Sequence, residues 1–305
     1  MIAPGKLALV TGASGYLASC IIPALKQNGC QVVGVERENL GDISFWTASL
    51  PGADFVFHLA AQTSAYQADA EPLGDWKANV QPMLAILEAC RATKSHPLVL
   101  FAGSCTQFGL PDRLPVDETQ ADHPATIYDR HKIAAEAYLQ HYAKLGWARG
   151  VTLRLANVYG PGPVSGSADR GILNLMMRKA LKGEDMPLYG HGAQIRDYVF
   201  IKDVASAFMA AARHPDAVNG RHFVLASGKG HSLSEAFTLV AERAAMLTGR
   251  RPSIVNVTPP STQSPIEARN FVGDATALSA ATGWSCAYGL TAGVDATLKY
   301  FQKAA

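Results

Sequence analysis

Short apolar runs recur along the first half of the chain, and the longer stretches between them return apolar residues every three or four positions. The runs at 7–10, 31–35, 55–59, 98–102 and 151–155 are of strand length and read as strands buried on both faces. Residues 15–27, 73–92 and 127–145 carry apolar side chains at helical spacing, which predicts helices there. Strands alternating with helices predict a parallel sheet covered on both faces. The last two helices have more apolar positions than one face needs, so they are expected to pack both on the sheet and against a second subunit.

Beyond Leu155 the pattern loosens. Residues 157–163 read as a loop by their Gly and Pro content, and 165–171 prolong it ahead of a helix over 172–182. A hairpin is expected around 188–194, strands over 222–226 and 253–257, and a Pro-rich loop over 259–265. Helices are expected over 203–213, 233–247, 276–282 and 290–301.

The first strand runs straight into Thr11-Gly12-Ala13-Ser14-Gly15-Tyr16-Leu17-Ala18-Ser19. Gly12 allows the tight turn out of the strand, Gly15 lets backbone approach a pyrophosphate, and the small Ala18 lets the new helix pack on the sheet. Free N–H groups at the positive end of that helix suit an anion. Glu36 ends the second strand, where a carboxylate can accept both ribose hydroxyls of an adenosine and so favours NAD over NADP. Arg37 beside it is the residue that could instead bind a 2′-phosphate. The fold class expected is therefore α/β: a Rossmann-type doubly wound parallel sheet with a smaller, interleaved C-terminal substrate lobe. Residues 1–165 form the NAD-binding part, with 196–226 returning to it, and 166–195 with 227–305 form the lobe.

With 305 residues, 48% hydrophobic and 17% charged, the chain has the composition of a soluble enzyme. A net charge of +2 with scattered Lys and Arg gives no nucleic-acid surface. The five cysteines are odd in number and widely spaced, which indicates neither a disulfide framework nor a zinc site and fits a reducing compartment. His123, His131 and His141 have no ligand-like spacing, so no metal is expected and all three are expected at the surface. No basic-then-apolar leader precedes the first strand and no run has membrane-span length, so a cytoplasmic protein without a membrane anchor is expected.

Tyr128-Asp129-Arg130-His131-Lys132 puts Tyr128 and Lys132 on one face of the 127–145 helix. Ser104 ends the run before it, at the carboxyl edge of the sheet, where open α/β sheets bind ligands. A phenol beside an ammonium, and near a positively charged nicotinamide, is expected to ionise more easily, and could then take a proton from a sugar or alcohol hydroxyl, with Ser104 sharing or relaying that hydrogen bond.

The glycine turn, Ser104, Tyr128 and Lys132, in this order, resemble the extended short-chain dehydrogenase/reductase family, in its NAD-dependent epimerase/dehydratase branch acting on nucleotide sugars. The resemblance includes His58-Leu59-Ala60-Ala61-Gln62, Asn79-Val80, Arg154 to Gly162, Gly190 to Val199, Asp203-Val204-Ala205, Arg269 to Asp274 and Thr282-Gly283-Trp284. It implies catalysis by Ser104, Tyr128 and Lys132. It implies that NAD is bound by Gly12, Gly15, Tyr16, Leu17, Glu36, Arg37, Asp42, Ile43, Leu59, Ala60, Ala61 and Asn79, with Tyr128 and Lys132 on the nicotinamide ribose. Thr106, Asn157 and Asn174 would contact substrate, and Arg196 and Arg269 would clamp the diphosphate of a nucleotide-diphosphate sugar. For Arg196 the plainer reading is a partner for Asp197 or another carboxylate, and for Arg269 a solvated surface residue. A homodimer is the family expectation.

Departures from the family pattern narrow the reaction. The acid pair that its 4,6-dehydratases carry after the catalytic Ser/Thr is replaced by Cys105 and Thr106, which argues against a dehydratase. Cys105 is read as a packed small residue. Gly103 and Phe108 replace the more common Ser and Tyr, and Thr63 stands where some 4-epimerases carry Lys. The expected activity is NAD-dependent 4-epimerisation of a nucleotide sugar through a transient 4-keto sugar. The alternatives are an NAD(P)H-dependent 4-ketoreductase making a deoxysugar nucleotide and a catalytically silent cofactor sensor.

Overall fold

The computed structural model describes residues 2–163, 171–259 and 263–304; most of the 165–171 loop and the centre of the 259–265 loop lie outside them. In order, the chain forms β1 (Leu7–Thr11), α1 (Ala18–Gln27), β2 (Gln31–Val35), α2 (Ile43–Ser49), β3 (Phe55–His58), α3 (Ala65–Ala70), α4 (Pro72–Asn79), α5 (Gln81–Thr93) and β4 (Leu98–Ser104). Then come α6 (Ile127–Lys144), β5 (Arg149–Leu155), β6 (Asn157–Tyr159), α7 (Ile172–Lys182), β7 (Met186–Tyr189), β8 (Ile195–Phe200), α8 (Ile201–Arg213), α9 (Pro215–Val218) and β9 (Arg221–Leu225). The remainder is β10 (Gly230–Ser232), α10 (Leu233–Thr248), β11 (Ile254–Val257), α11 (Thr276–Thr282) and α12 (Leu290–Ala304).

Six strands form one parallel sheet in the order β2-β1-β3-β4-β5-β9. Successive side chains alternate between its two faces. Ala8, Val10, Phe55, Phe57, Leu98, Leu100, Val151 and Leu153 bury against α1, α8 and α11 on one side. Leu9, Val56, Val99 and Phe101 bury against α2, α5 and α6 on the other. The lobe has its own core, in which Leu173, Met176, Met177, Phe237, Val240, Val294 and Leu298 pack together from α7, α10 and α12.

Several local expectations are corrected. The helix expected over 73–92 is two helices, because Pro82 in the first turn of α5 has no N–H to continue the ladder. Residues 157–159 are strand β6, paired with β8. The 188–194 hairpin does not form: β7 pairs in parallel with the distant β11, a choice that no local pattern encodes. The short α2 and α3 went unread; each starts on a side-chain cap, Asp42 accepting from Ser44 N–H and Ser64 from Gln67 N–H.

Beneath the carboxyl end of β4 lies a buried charge network. Arg154, 2% exposed, donates from Nε and Nη2 to Glu136 at 3.0 and 2.6 Å, and from Nη1 and Nη2 to Asp122 at 2.5 and 2.9 Å. Its guanidinium also lies 4.6 Å over the Phe108 ring. Burial alone would make it easier to deprotonate; the two carboxylates outweigh that and raise its pKa.

At the end of β3, Thr11 Oγ1 accepts from the N–H groups of Leu59 and Ala60, each at 3.0 Å, and lies 2.9 Å from His58 Nδ1. With both lone pairs engaged, the hydroxyl proton goes to Nδ1, which leaves the imidazole proton on Nε2. Nε2 meets no partner among the described residues. Burial, reinforced by Lys132, holds this ring neutral down to about 3.

Two outcomes follow from these buried groups. Arg154→Met strands the Glu136 carboxylate and should cost about 3 kcal/mol in urea unfolding, whereas Arg154→Met with Glu136→Met should cost less. His58 protonates near its ordinary 6.5 when unfolded but only near 3 when folded, so the unfolded state binds more protons in that window and stability falls as pH drops through it. His58→Asn keeps an acceptor for Thr11 and cannot titrate. Between about pH 7.5 and 5.5 it should lose about 1 kcal/mol less than the wild type.

Candidate active site

The strand order reverses between β1 and β3: the chain leaves β1 to one side for β2 and returns to the other for β3. Ligands of open α/β sheets bind at that crevice. Gly12, at φ +65°, lies so close to the end of β3 that a Cβ would sit 3.0 Å from both Ala60 N and Cα. At Gly15 a Cβ would sit 2.9 Å from Gly12 O, which accepts the Gly15 N–H at 2.8 Å. Only bare backbone fits here, which is what an approaching pyrophosphate requires. Leu17 starts α1 half-buried against the core. Glu36 and Arg37 are exposed just after β2, Asp42 caps α2 with Ile43 exposed beside it, and Leu59, Ala60 and Ala61 are half-buried. These features fit NAD.

Tyr16 and Asn174, read separately as cofactor and substrate contacts, meet each other. Asn174 Nδ2 donates to Tyr16 Oη at 3.0 Å, Tyr16 Oη donates to Gly160 O at 3.0 Å, and Asn174 Oδ1 accepts from Gly160 N–H at 3.0 Å. Together they fasten the glycine turn to the 157–163 segment and α7.

Ser104 closes β4, and Tyr128 stands 8% exposed in the first turn of α6. That helix opens on a reciprocal cap between Thr126 and Asp129. Ser104 helps to hold the Tyr128 pKa down, and its Oγ lies 2.8 Å from Thr106 Oγ1. Lys132, 2% exposed, donates to Ala102 O at 2.7 Å and stands 4.3 Å over the Phe101 ring but 6.0 Å from the Tyr128 ring centroid.

Among the protein's own groups, Lys132 does not by itself bring about the easier ionisation expected of Tyr128 beside an ammonium and a positive nicotinamide. Burial, then the adjacent Asp129, push its pKa up against the help of Ser104. Lys132 itself is brought down to about 7 by burial, against the pull of Asp75 and Glu136.

Asn79 donates to Gln62 O and to Asp75 Oδ1, both at 2.9 Å, and Gln62 Nε2 donates to the same carboxylate at 2.8 Å. Asn79 thereby holds the segment after β3 that the cofactor would touch. His131 is not the surface residue expected: its Nδ1 lies 2.6 Å from the fully buried Asp75. Pattern reading missed Asp75, His131 and Asp129; a carboxylate in the first turn of a helix reads as a cap and nothing more.

On the lobe side, Arg196 (3% exposed) and Arg269 (7%) are both buried, which corrects the solvated reading of Arg269. Arg196 does not pair with Asp197, which accepts instead from Ser227, Gly228 and Gly273. It donates to the carbonyls of Arg269 and Glu267 and stands 3.7 Å from the half-exposed Glu267 carboxylate. Arg269 donates to Ile266 O at 3.1 Å and to Asn157 Oδ1 at 3.4 Å, while its Nε has no partner among the described residues. Burial, then Arg269, pull Arg196 down to about 10. Two guanidiniums against one wet carboxylate leave a positive site suited to an anion. Cys105 packs beside them, 3% exposed, its thiol pKa raised by burial.

A profile of the NAD dependent epimerase/dehydratase family matches residues 8–226. A UDP-glucose 4-epimerase of Mycolicibacterium smegmatis is 30% identical over 256 residues, 76% of this chain and 81% of its own. The crystal structure of a UDP-glucose 4-epimerase of Thermotoga maritima with UDP-glucose superposes with a TM-score of 0.87 at 26% identity, over 98% of this chain and 99% of its own. That of Thermus thermophilus in complex with NAD gives 0.84 at 27% identity, over 98% and 100%. With a match that spans the glycine turn, Ser104, Tyr128 and Lys132, the chain belongs to the NAD dependent epimerase/dehydratase family.

Proposed function

We propose that this protein is an NAD-dependent nucleotide-sugar 4-epimerase. The observation that carries the reading is Tyr128, with Ser104 beside its hydroxyl and Lys132 one turn on, at the same sheet edge as the bare-backbone turn at Gly12 and Gly15. The UDP-glucose and NAD of its relatives support UDP-sugars as the substrate class and NAD as the cofactor. NAD would lie over Gly12 and Gly15, its adenosine ribose at Glu36, its nicotinamide end toward Tyr128 and Lys132. When bound it supplies a reversible hydride acceptor for C4 of the sugar. Tyr128 exchanges the proton of the C4 hydroxyl, and Ser104 orients that hydroxyl and stabilises charge on the oxygen as it becomes a carbonyl. Arg196 and Arg269 hold the diphosphate, so that the sugar can turn while its tether stays fixed. Thr106 and Asn157 border the sugar.

We further propose a cytoplasmic homodimer joined through the two mid-chain helical stretches, α4 with α5 and α6, whose exposed apolar side chains include Leu73 (80%), Tyr138 (41%) and Leu145 beyond the helix end (44%).

The reading is tested by identifying the cofactor released from fresh protein and incubating that protein, without additions, with UDP-glucose, UDP-glucuronate and a dTDP-4-keto-6-deoxy sugar. Bound NAD and conversion of a UDP-sugar to its C4 epimer are expected; keto-sugar reduction only on addition of NADPH or NADH would replace the reading with the reductase. Tyr128→Phe should lose roughly 100- to 10,000-fold in kcat while keeping NAD. Gly12→Ala, strained at φ +65° and pressed on Ala60, should purify without cofactor.

A further inference from the structure

Strand β4 outruns its neighbour. Its pairing with β3 ends at Phe101, opposite His58, while β5 accompanies it as far as Ser104. On the stretch that β3 leaves uncovered, side chains take the place of a strand. Ala102 O accepts from Lys132 Nζ at 2.7 Å, and Ser104 N–H donates to Gln107 Oε1 at 2.9 Å. Backbone groups shielded from water must find partners, and here the partner settles where Ser104 is held.

Gln107 is 0% exposed and does more than cap the short turn after β4. A cap there needs Oε1 alone. Nε2 reaches on to Glu136 Oε2 at 3.1 Å, and Glu136 accepts in addition from Arg154 Nε at 3.0 Å and Nη2 at 2.6 Å. A carboxylate can only accept hydrogen bonds, so it draws the NH2 end of the amide to itself and leaves the carbonyl end for Ser104. A flipped amide would set oxygen against oxygen and N–H against N–H. The buried ion pair therefore decides which way Gln107 faces, and Gln107 decides where the Ser104 backbone lies. The Ser104 hydroxyl is then aimed by Thr106, whose N–H it accepts at 3.2 Å and whose Oγ1 lies 2.8 Å away.

Tyr128, Lys132 and Glu136 succeed one another at intervals of four along α6 and so share one face of it. Lys132 holds Ala102 directly, and Glu136 holds Ser104 through Gln107. Both ends of the uncovered stretch of β4 are thereby tied to the helix that carries Tyr128.

We propose that Gln107 is a positioning residue for the reaction, coupling Ser104 to the Arg154–Glu136 ion pair and so keeping the Ser104 hydroxyl in register with Tyr128. The proposal rests on the epimerase reading of the same site. Gln107 is closed off from solvent and acts through Ser104, taking no part in the chemistry itself.

The test uses the NAD-loaded protein with UDP-glucose and the variants Gln107→Met, Ser104→Ala and the two combined. Met has the length of Gln and makes neither hydrogen bond; Gln107→Val, smaller and equally unable to bond, is carried in parallel. Either substitution at 107 should lower kcat about 10- to 100-fold with KM little changed. On the Ser104→Ala background the same substitution should lower kcat by no more than about 3-fold further, because the hydroxyl it positions is gone. Wild-type kcat in Gln107→Met, with only a lower Tm, would reduce Gln107 to a cap and overturn the proposal; so would an equal loss on the Ser104→Ala background. A substrate-free measurement keeps the two readings apart: hydrogen exchange at the Ser104 amide, assigned in serine-labelled protein by its disappearance in Ser104→Ala. Exchange should be slow in the wild type and about 10-fold faster in Gln107→Met. Fast exchange in the folded wild type, or a rate unchanged by Gln107→Met, would overturn the positioning role even if no sugar were turned over. Absence of turnover by a wild type whose Ser104 amide is protected would remove the epimerase reading alone.

Discussion

The site depends on how closely the ends of β1 and β3 approach each other. Thr11 turns its hydroxyl across the gap and accepts two backbone N–H groups from the next strand, so the Leu59–Ala60 segment is tied to β1 where the phosphate turn begins. Gly12 then lies on Ala60 with no room for a Cβ. His58 Nδ1 accepts the hydrogen bond of the Thr11 hydroxyl, and its ring stacks on Phe101 at 5.5 Å, above which Lys132 is placed. Cofactor cradle and catalytic helix thus share one set of buried contacts, and disturbing either moves the other.

Helix α6 carries this coupling along its length. Lys132, Glu136 and Gln140 occupy successive turns of one face and reach Ala102 O, then Arg154 and Gln107, then His222. Gln107 also accepts the Ser104 N–H at 2.9 Å. Gly103 leaves both Thr152 and this amide their space, since a Cβ there would sit 2.6 Å from Thr152 Cγ2 and 3.0 Å from Gln107 Oε1. The Gly103 that departs from the family pattern is therefore matched to Thr152 on β5 and to the buried amide four residues on. Charges buried this deeply are tolerated only when paired and hydrogen-bonded, and that requirement gives the helix one register against the sheet.

The electrostatics of the catalytic pair come from desolvation more than from mutual attraction. A Tyr and a Lys one turn apart suggest a phenolate beside an ammonium, but burial disfavours both charges, and Lys132 finds a carbonyl instead. The neighbouring Asp129 deepens the effect for Tyr128.

Much of the architecture was legible in the linear sequence. The buried strands, the glycine turn and the Ser104, Tyr128 and Lys132 spacing are local features, dictated by periodicity of two or 3.6 and by the few residues that turns tolerate. What folding alone decided is where long side chains end. Asn174 closes on Tyr16, Arg196 reaches the carbonyls of 267 and 269, His131 meets Asp75, and β7 chooses β11 over a hairpin. Each joins residues far apart in the chain, and the strength of each depends on burial, which is a property of the assembled molecule. A sequence states which donors, acceptors and charges exist; only the tertiary structure removes the water that would otherwise satisfy them and so decides which must find one another.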